Sequence, residues 1–132
     1  MLEEGDNSPA DVFFAQDPGG LGVVANAEML IPLSSSVTGL VPNWARSQDG
    51  LWVGISGRAR TLVFNTETLT EADLPDSIFD LTDPKWKGRV GWAPTNGSFQ
   101  AMVTAMRVLS GEEKTSQWLR GMLANHPQVY PK

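Results

Sequence analysis

Cysteine is absent from this chain of 132 residues, and histidine and tyrosine occur once each, as His126 and Tyr130. Without cysteine there are no disulfides, no thiolate nucleophile and no Cys-ligated zinc or iron–sulfur site. The compartment stays open, because exported bacterial proteins often lack cysteine too. A single histidine closes most nucleophilic routes. No Ser-His-Asp set, Walker loop, HExxH or Gly-rich dinucleotide fingerprint is present either. An enzyme is therefore not expected. No apolar run approaches the roughly 20 residues of a membrane-spanning helix. The chain opens Met1-Leu2-Glu3-Glu4-Gly5, acidic where a signal peptide is basic. Any export signal is thus expected to have been removed or to lie outside these residues.

Bases are scarce at the start. Residues 1–50 carry seven acids and one base, Arg46, whereas residues 51–132 carry eight acids and nine bases, for a net charge of −5. The bases bunch at Arg58/Arg60 and at Lys85/Lys87/Arg89. A nucleic-acid binder presents a broad basic face. That pattern is missing, so no nucleic-acid partner is expected, while a small anion site fits the two clusters. A hydrophobic fraction of 41% and five tryptophans place the chain among globular domains. Its length allows a real core.

Along the chain, residues 10–15 (ADVFFA) form a short apolar run typical of a buried parallel strand. Asp17 before Pro18 is a helix start, predicting a helix over about 18–28. Residues 32–50 are rich in turn formers and read as an irregular connection. The runs 51–56 (LWVGIS) and 61–65 (TLVFN) are strand-like. They make either a hairpin or one long strand, and the absence of an Asn-Gly or Asp-Gly turn favours one bent strand over 51–65. A short helix is expected around 75–81 and a strand at 89–92. Two amphipathic helices follow, about 97–110 and 112–125, separated by Gly111, with a last strand beginning at 128–130. Strands alternating with helices predict an α/β architecture, with a short, mostly parallel sheet flanked by helices.

The most informative stretch is residues 90–100 (VGWAPTNGSFQ). It reads as strand, turn and helix, after which Phe99, Met102, Val103, Met106 and Leu109 recur at helical spacing. The first backbone N–H groups of a helix lack internal partners, and the peptide dipoles leave that end partly positive. Thr95, Asn96 and Ser98 add side-chain donors, and Gly97 allows close approach, as in a receptor for carboxylate, carbonate or phosphate oxygens. The alternative is an ordinary helix cap.

Three blocks carry a resemblance: residues 8–16 (SPADVFFAQ), 52–65 (WVGISGRARTLVFN) and 81–99 (LTDPKWKGRVGWAPTNGSF). In this order they resemble the ferric-ion-binding proteins, the substrate-binding components of bacterial ABC iron importers. The likeness covers essentially the whole chain. It implies the two-lobed periplasmic binding protein fold of the second type, here with incomplete lobes. Residues 1–56 would belong to the amino-terminal lobe and 57–132 to the second, with the crossing strand at about 51–65. A full-length member is roughly twice as long, and the family's adjacent tyrosine ligands are expected beyond Lys132, since Tyr130 does not match that pair. Where many members place a metal-binding carboxylate, this chain has Gln16, followed by Asp17, so Gln16 is the one candidate metal contact. His126 is expected to be a loop residue rather than a ligand.

The resemblance also implies an anion site at Arg58, Arg60, Thr95, Asn96, Gly97 and Ser98, holding the synergistic anion that accompanies iron(III) in the family. Guanidinium groups fork onto planar oxyanions. The implied partners are a small oxyanion and the membrane subunits of an ABC importer. The implied location is periplasmic or extracellular and lipid-anchored. No cofactor is expected in these residues themselves, and a homodimer through exposed edges is. The alternatives are a binding protein for a polyamine or an inorganic oxyanion, or a structural piece that binds nothing.

Overall fold

Single residues write the helix starts into this sequence. A computed structural model describes residues 1–131, and in it the chain forms two compact units, Met1–Ala59 and Arg60–Lys132. Lys132, the end of the span 57–132, lies outside the described residues.

In the first unit, Asp17 accepts hydrogen bonds from the N–H groups of Gly19 and Gly20, at 3.0 and 3.4 Å, and Pro18 supplies a preset φ, so helix α1 runs Pro18–Asn26. It ends two residues earlier than expected, where Glu28 takes a positive φ of 57°. The segment 32–50 is largely irregular, with one short helix, α2 (Ser35–Thr38), and a 3-10 turn at Asn43–Ala45. Arg46 staples it by donating to the Thr38 carbonyl at 2.6 Å and to the Asn43 side-chain oxygen. The Ser47 hydroxyl accepts from the N–H of Leu51 at 2.7 Å.

Two expected strands are corrected here. Residues 10–15 form no strand, and Val12 and Phe14 are 84% and 70% exposed. Over 51–65 the only ladder contact among the described residues is one antiparallel bridge, Val53 with Arg46. A strand is a pairing, and no described segment supplies the second partner. Apolar, β-branched composition alone does not make one.

The second unit holds the larger core. After 3-10 turns at Glu71–Asp73, Ile78–Thr82 and Pro84–Trp86, strand β1 (Gly91–Trp92) leads into helix α3 (Gly97–Ser110). Helix α4 (Glu112–Ala124) and strand β2 (Gln128–Val129) complete it. The helix expected around 75–81 is thus a 3-10 turn, opened by Ser77, whose side chain accepts from the Phe79 N–H. β1 and β2 pair in parallel, Gly91 opposite Gln128 and Trp92 opposite Val129. Phe99 and Met106 of α3 meet Trp118 and Met122 of α4 over Leu81 and Trp86. The inward stripe of α3 stops at Met106; Leu109, expected on it, is 84% exposed.

Polar anchors fix the turns to this core. The Trp118 indole donates to the Ile78 carbonyl at 2.8 Å. The buried Asn125 side-chain amide donates to the carbonyls of Leu81 and Asp83, at 3.0 and 2.8 Å, and the Asn125 backbone carbonyl accepts from the Gly88 N–H. Buried polar groups need such partners. Gly121 lets α4 approach the Ile78–Thr82 turn: a Cβ there would lie 2.7 Å from the Thr82 methyl.

Candidate anion-binding site

The turn between β1 and α3 is closed by the Asn96 N–H donating to the Ala93 carbonyl at 3.1 Å. Asn96 then caps α3. Its side-chain oxygen accepts from the N–H groups of Ser98 and Phe99, at 3.0 and 3.3 Å. Two of the helix's first N–H groups are therefore satisfied internally, and the oxygen of Asn96 is committed to the helix. Gln100 also folds back, its amide donating to the Pro94 carbonyl at 3.4 Å. Thr95 is exposed and its hydroxyl donates to the Pro131 carbonyl at 3.2 Å, tying the turn to the residues after β2. Tyr130 packs across Gly91, where a Cβ would lie 2.9 Å from its ring.

The donors left without a protein partner among the described residues are fewer than the sequence suggests. Gly97 and Ser98 are half-buried, and the Gly97 N–H and Ser98 hydroxyl take no protein partner among the described residues. The Asn96 side-chain NH₂ is the third such donor. All three belong to the residues 96–98 that the sequence singles out.

Arg60 is exposed, and its guanidinium carbon lies 5.8 Å from the centroid of the Phe99 ring, in the first turn of α3. One of the two sequence-predicted arginines therefore meets a ring carried on the first turn of α3. Arg58 is exposed and belongs to the first unit. Sequence reasoning counts Phe99 only as a core residue. Its contact with Arg60 spans 39 positions, and no spacing rule signals it.

Gln16 is exposed and belongs to the first unit, beside Asp17, whose carboxylate is engaged in capping α1. Among the described residues no three His, Cys, Asp or Glu side chains are grouped to hold a metal ion. His126 is exposed in the turn between α4 and β2, with a φ of 49°. An open groove of about 540 Å³, lined by Leu74, Pro75, Asp76, Phe79, Asp80, Asp83 and Lys85 among others, shares no residue with the Asn96 turn.

Residues 7–132 match the family described as bacterial extracellular solute-binding protein. The chain is 38% identical over 125 residues to the Fe(3+)-binding periplasmic protein of Serratia marcescens, covering 95% of this chain and 37% of that protein. It is 40% identical over 127 residues to the major ferric iron-binding protein of Neisseria meningitidis, covering 92% of this chain and 38% of that one. Iron-bound HitA from Pseudomonas aeruginosa superposes with a TM-score of 0.94 at 38% identity, covering 99% of this chain and 42% of that chain. The chain thus spans about two fifths of the length of the relatives it matches. The architecture is that of the periplasmic binding proteins, in partial lobes with a short parallel sheet. The chain belongs to the bacterial extracellular solute-binding protein family.

Proposed function

We propose that this chain supplies the oxyanion-holding part of an extracytoplasmic iron(III) receptor, which passes its cargo to the membrane subunits of an ABC importer. Residues 1–56 would contribute to the amino-terminal lobe and 57–132 to the second. The location follows the family: the periplasm, or the outer surface with a lipid anchor. Two relatives are named for ferric iron, and HitA was solved iron-bound. The observation that supports the reading is the set of donors at the start of α3 that take no protein partner among the described residues, on the helix whose Phe99 ring lies 5.8 Å from the Arg60 guanidinium.

In this reading an inorganic oxyanion such as carbonate or phosphate takes hydrogen bonds from the Gly97 N–H, the Ser98 hydroxyl and the Asn96 NH₂. Arg60 supplies positive charge. Thr95 shapes the turn through Pro131. Gln16 offers the metal a neutral carbonyl, a weak ligand for a hard trivalent ion beside a carboxylate or phenolate. The charge-assisted bonds are the strong ones, but exposure to water and salt screens them.

The test is a titration of the 132-residue chain with inorganic phosphate, followed by the amide resonances of Gly97 and Ser98. The expected Kd is on the order of millimolar. Arg60→Ala should weaken it, more so at low salt. Unmoved Gly97 and Ser98 resonances would leave the Asn96 turn as a helix cap and nothing more.

A further inference from the structure

We infer that the Arg58–Ala59 peptide bond is a site of limited proteolysis: an endoprotease of the trypsin class, which selects a basic side chain before the cut, hydrolyses this bond first and leaves the second unit folded. The inference is independent of the oxyanion reading above.

An endoprotease takes its substrate as an extended strand, through main-chain hydrogen bonds along several residues and a pocket for the side chain before the cut. A segment held in a helix or a ladder must first come loose, at a cost in free energy. Residues 54–63 are all exposed and lie in neither helix nor strand. From 55 to 64 no backbone N–H or carbonyl takes a backbone partner among the described residues. The Val53 bridge to Arg46 ends just before this stretch, and the Asn65 carbonyl, which accepts from Thr68 and Leu69, opens the turn after it. The main chain between them is ready to pair with a protease cleft without prior unfolding.

The two arginines of the stretch are not equivalent. The Arg60 guanidinium lies 5.8 Å from the Phe99 ring centroid, so a protease pocket must draw it off the ring. No ion pair or aromatic contact among the described residues holds Arg58. Other basic residues are better protected. Arg46 donates to Thr38 and Asn43, Lys85 and Arg89 lie over the Trp86 ring, and Arg107, Lys114 and Arg120 sit in α3 and α4. Lys87 is fixed through its N–H on the Pro84 carbonyl and that of Gly88 on the Asn125 carbonyl. The core cluster of Leu81, Trp86, Phe99, Met106, Trp118 and Met122 lies wholly after the cut, so the second unit keeps its packing. In the step itself a water oxygen adds to the Arg58 carbonyl carbon and the bond to the Ala59 nitrogen breaks. That nitrogen takes up a proton, leaving a carboxylate on Arg58 and an amino terminus on Ala59.

The experiment is a time course of the intact 132-residue chain with dilute trypsin, read by mass spectrometry. The earliest products should be fragments 1–58 and 59–132, and the second should outlast the first. Low urea should leave the rate of this cut unchanged relative to a short arginine peptide, because no global opening precedes it. Arg58→Gln should slow the first cut about two- to fivefold and move it to Arg60, the factor that a cation over an exposed ring supplies. An earliest cut after Arg60 or any other basic residue of the wild type overturns the inference. So does a cut at Arg58 that accelerates with urea, a 59–132 fragment lost as fast as it forms, or an Arg58→Gln chain cut first anywhere but Arg60.

Discussion

Asn96 shows how one side chain settles two questions at once. Its oxygen accepts from two backbone N–H groups and so holds the start of α3. Asn96→Ala should cost about 1 kcal/mol of stability through the lost cap. Asn96→Asp should keep or improve stability, because a carboxylate accepts the same two N–H groups and faces the positive end of the helix dipole. The same carboxylate would repel an incoming oxyanion. Urea unfolding and phosphate titration of both variants separate the two roles: the aspartate variant is expected to unfold no earlier than wild type and to bind phosphate more weakly. Undiminished phosphate binding by that variant would sink the anion role of this turn. Asp17 plays the equivalent capping role for α1, which keeps its carboxylate occupied beside Gln16.

Elements in the second unit pack closely because glycine allows it. Gly121→Ala would force a Cβ to within 2.7 Å of the Thr82 methyl and 2.8 Å of its Cβ. The expected cost is about 1–3 kcal/mol, as for overpacking elsewhere. Combining it with Thr82→Ala should recover only part of that, since the Thr82 Cβ remains in the way; denaturant midpoints of the single and double variants measure this. The 3-10 turn at Glu71–Asp73 carries a pH signature. Hydrogen bonds from the Thr70 hydroxyl and backbone N–H hold the Asp73 carboxyl below its ordinary range. A depressed carboxyl stabilises the turn at pH above its unfolded pKa, and that contribution is lost as pH falls through the folded pKa. A side-chain NMR titration should show Asp73 deprotonating earlier than a free aspartate, and Thr70→Val should move it back toward the ordinary value.

For the molecule as a whole, exposed apolar chain is the dominant feature. Val12, Phe14, Leu40, Trp44, Ile55 and Val63 are all more than half exposed, and Val12, Phe14, Ile55 and Val63 lie in runs that pair with nothing over most of their length. Unpaired edges and apolar surface favour association. Light scattering of the 132-residue chain should show a mass that rises with concentration toward a dimer, and a constant monomer mass would contradict this. Ferric iron should not bind tightly to these residues alone. Tyr130 is the one phenol, its hydroxyl donates to the Gln128 side chain at 2.9 Å, and Gln16 is a weak ligand. A titration with ferric nitrilotriacetate is expected to give no stoichiometric tyrosinate charge-transfer band; one iron per chain with that colour would refute the expectation.

The sequence by itself determined the three longer helices, α1, α3 and α4, and their starts. Asp17-Pro18, Asn96 and Gly111 mark the boundaries of α1, α3 and α4, and each lies within a residue or two of where the pattern puts it. Helical hydrogen bonds run between residues four apart, and a cap acts on the next two or three, so the information is local. The residues of the Asn96 turn were legible for the same reason. The tertiary structure decided what depends on partners. It paired β1 with β2, left 10–15 and most of 51–65 without a ladder, and turned Leu109 outward while Met106 went in. It also brought Arg60 onto Phe99, across 39 positions. Strand ladders and side-chain contacts join segments far apart in the chain, so no single stretch of sequence contains both halves of the interaction.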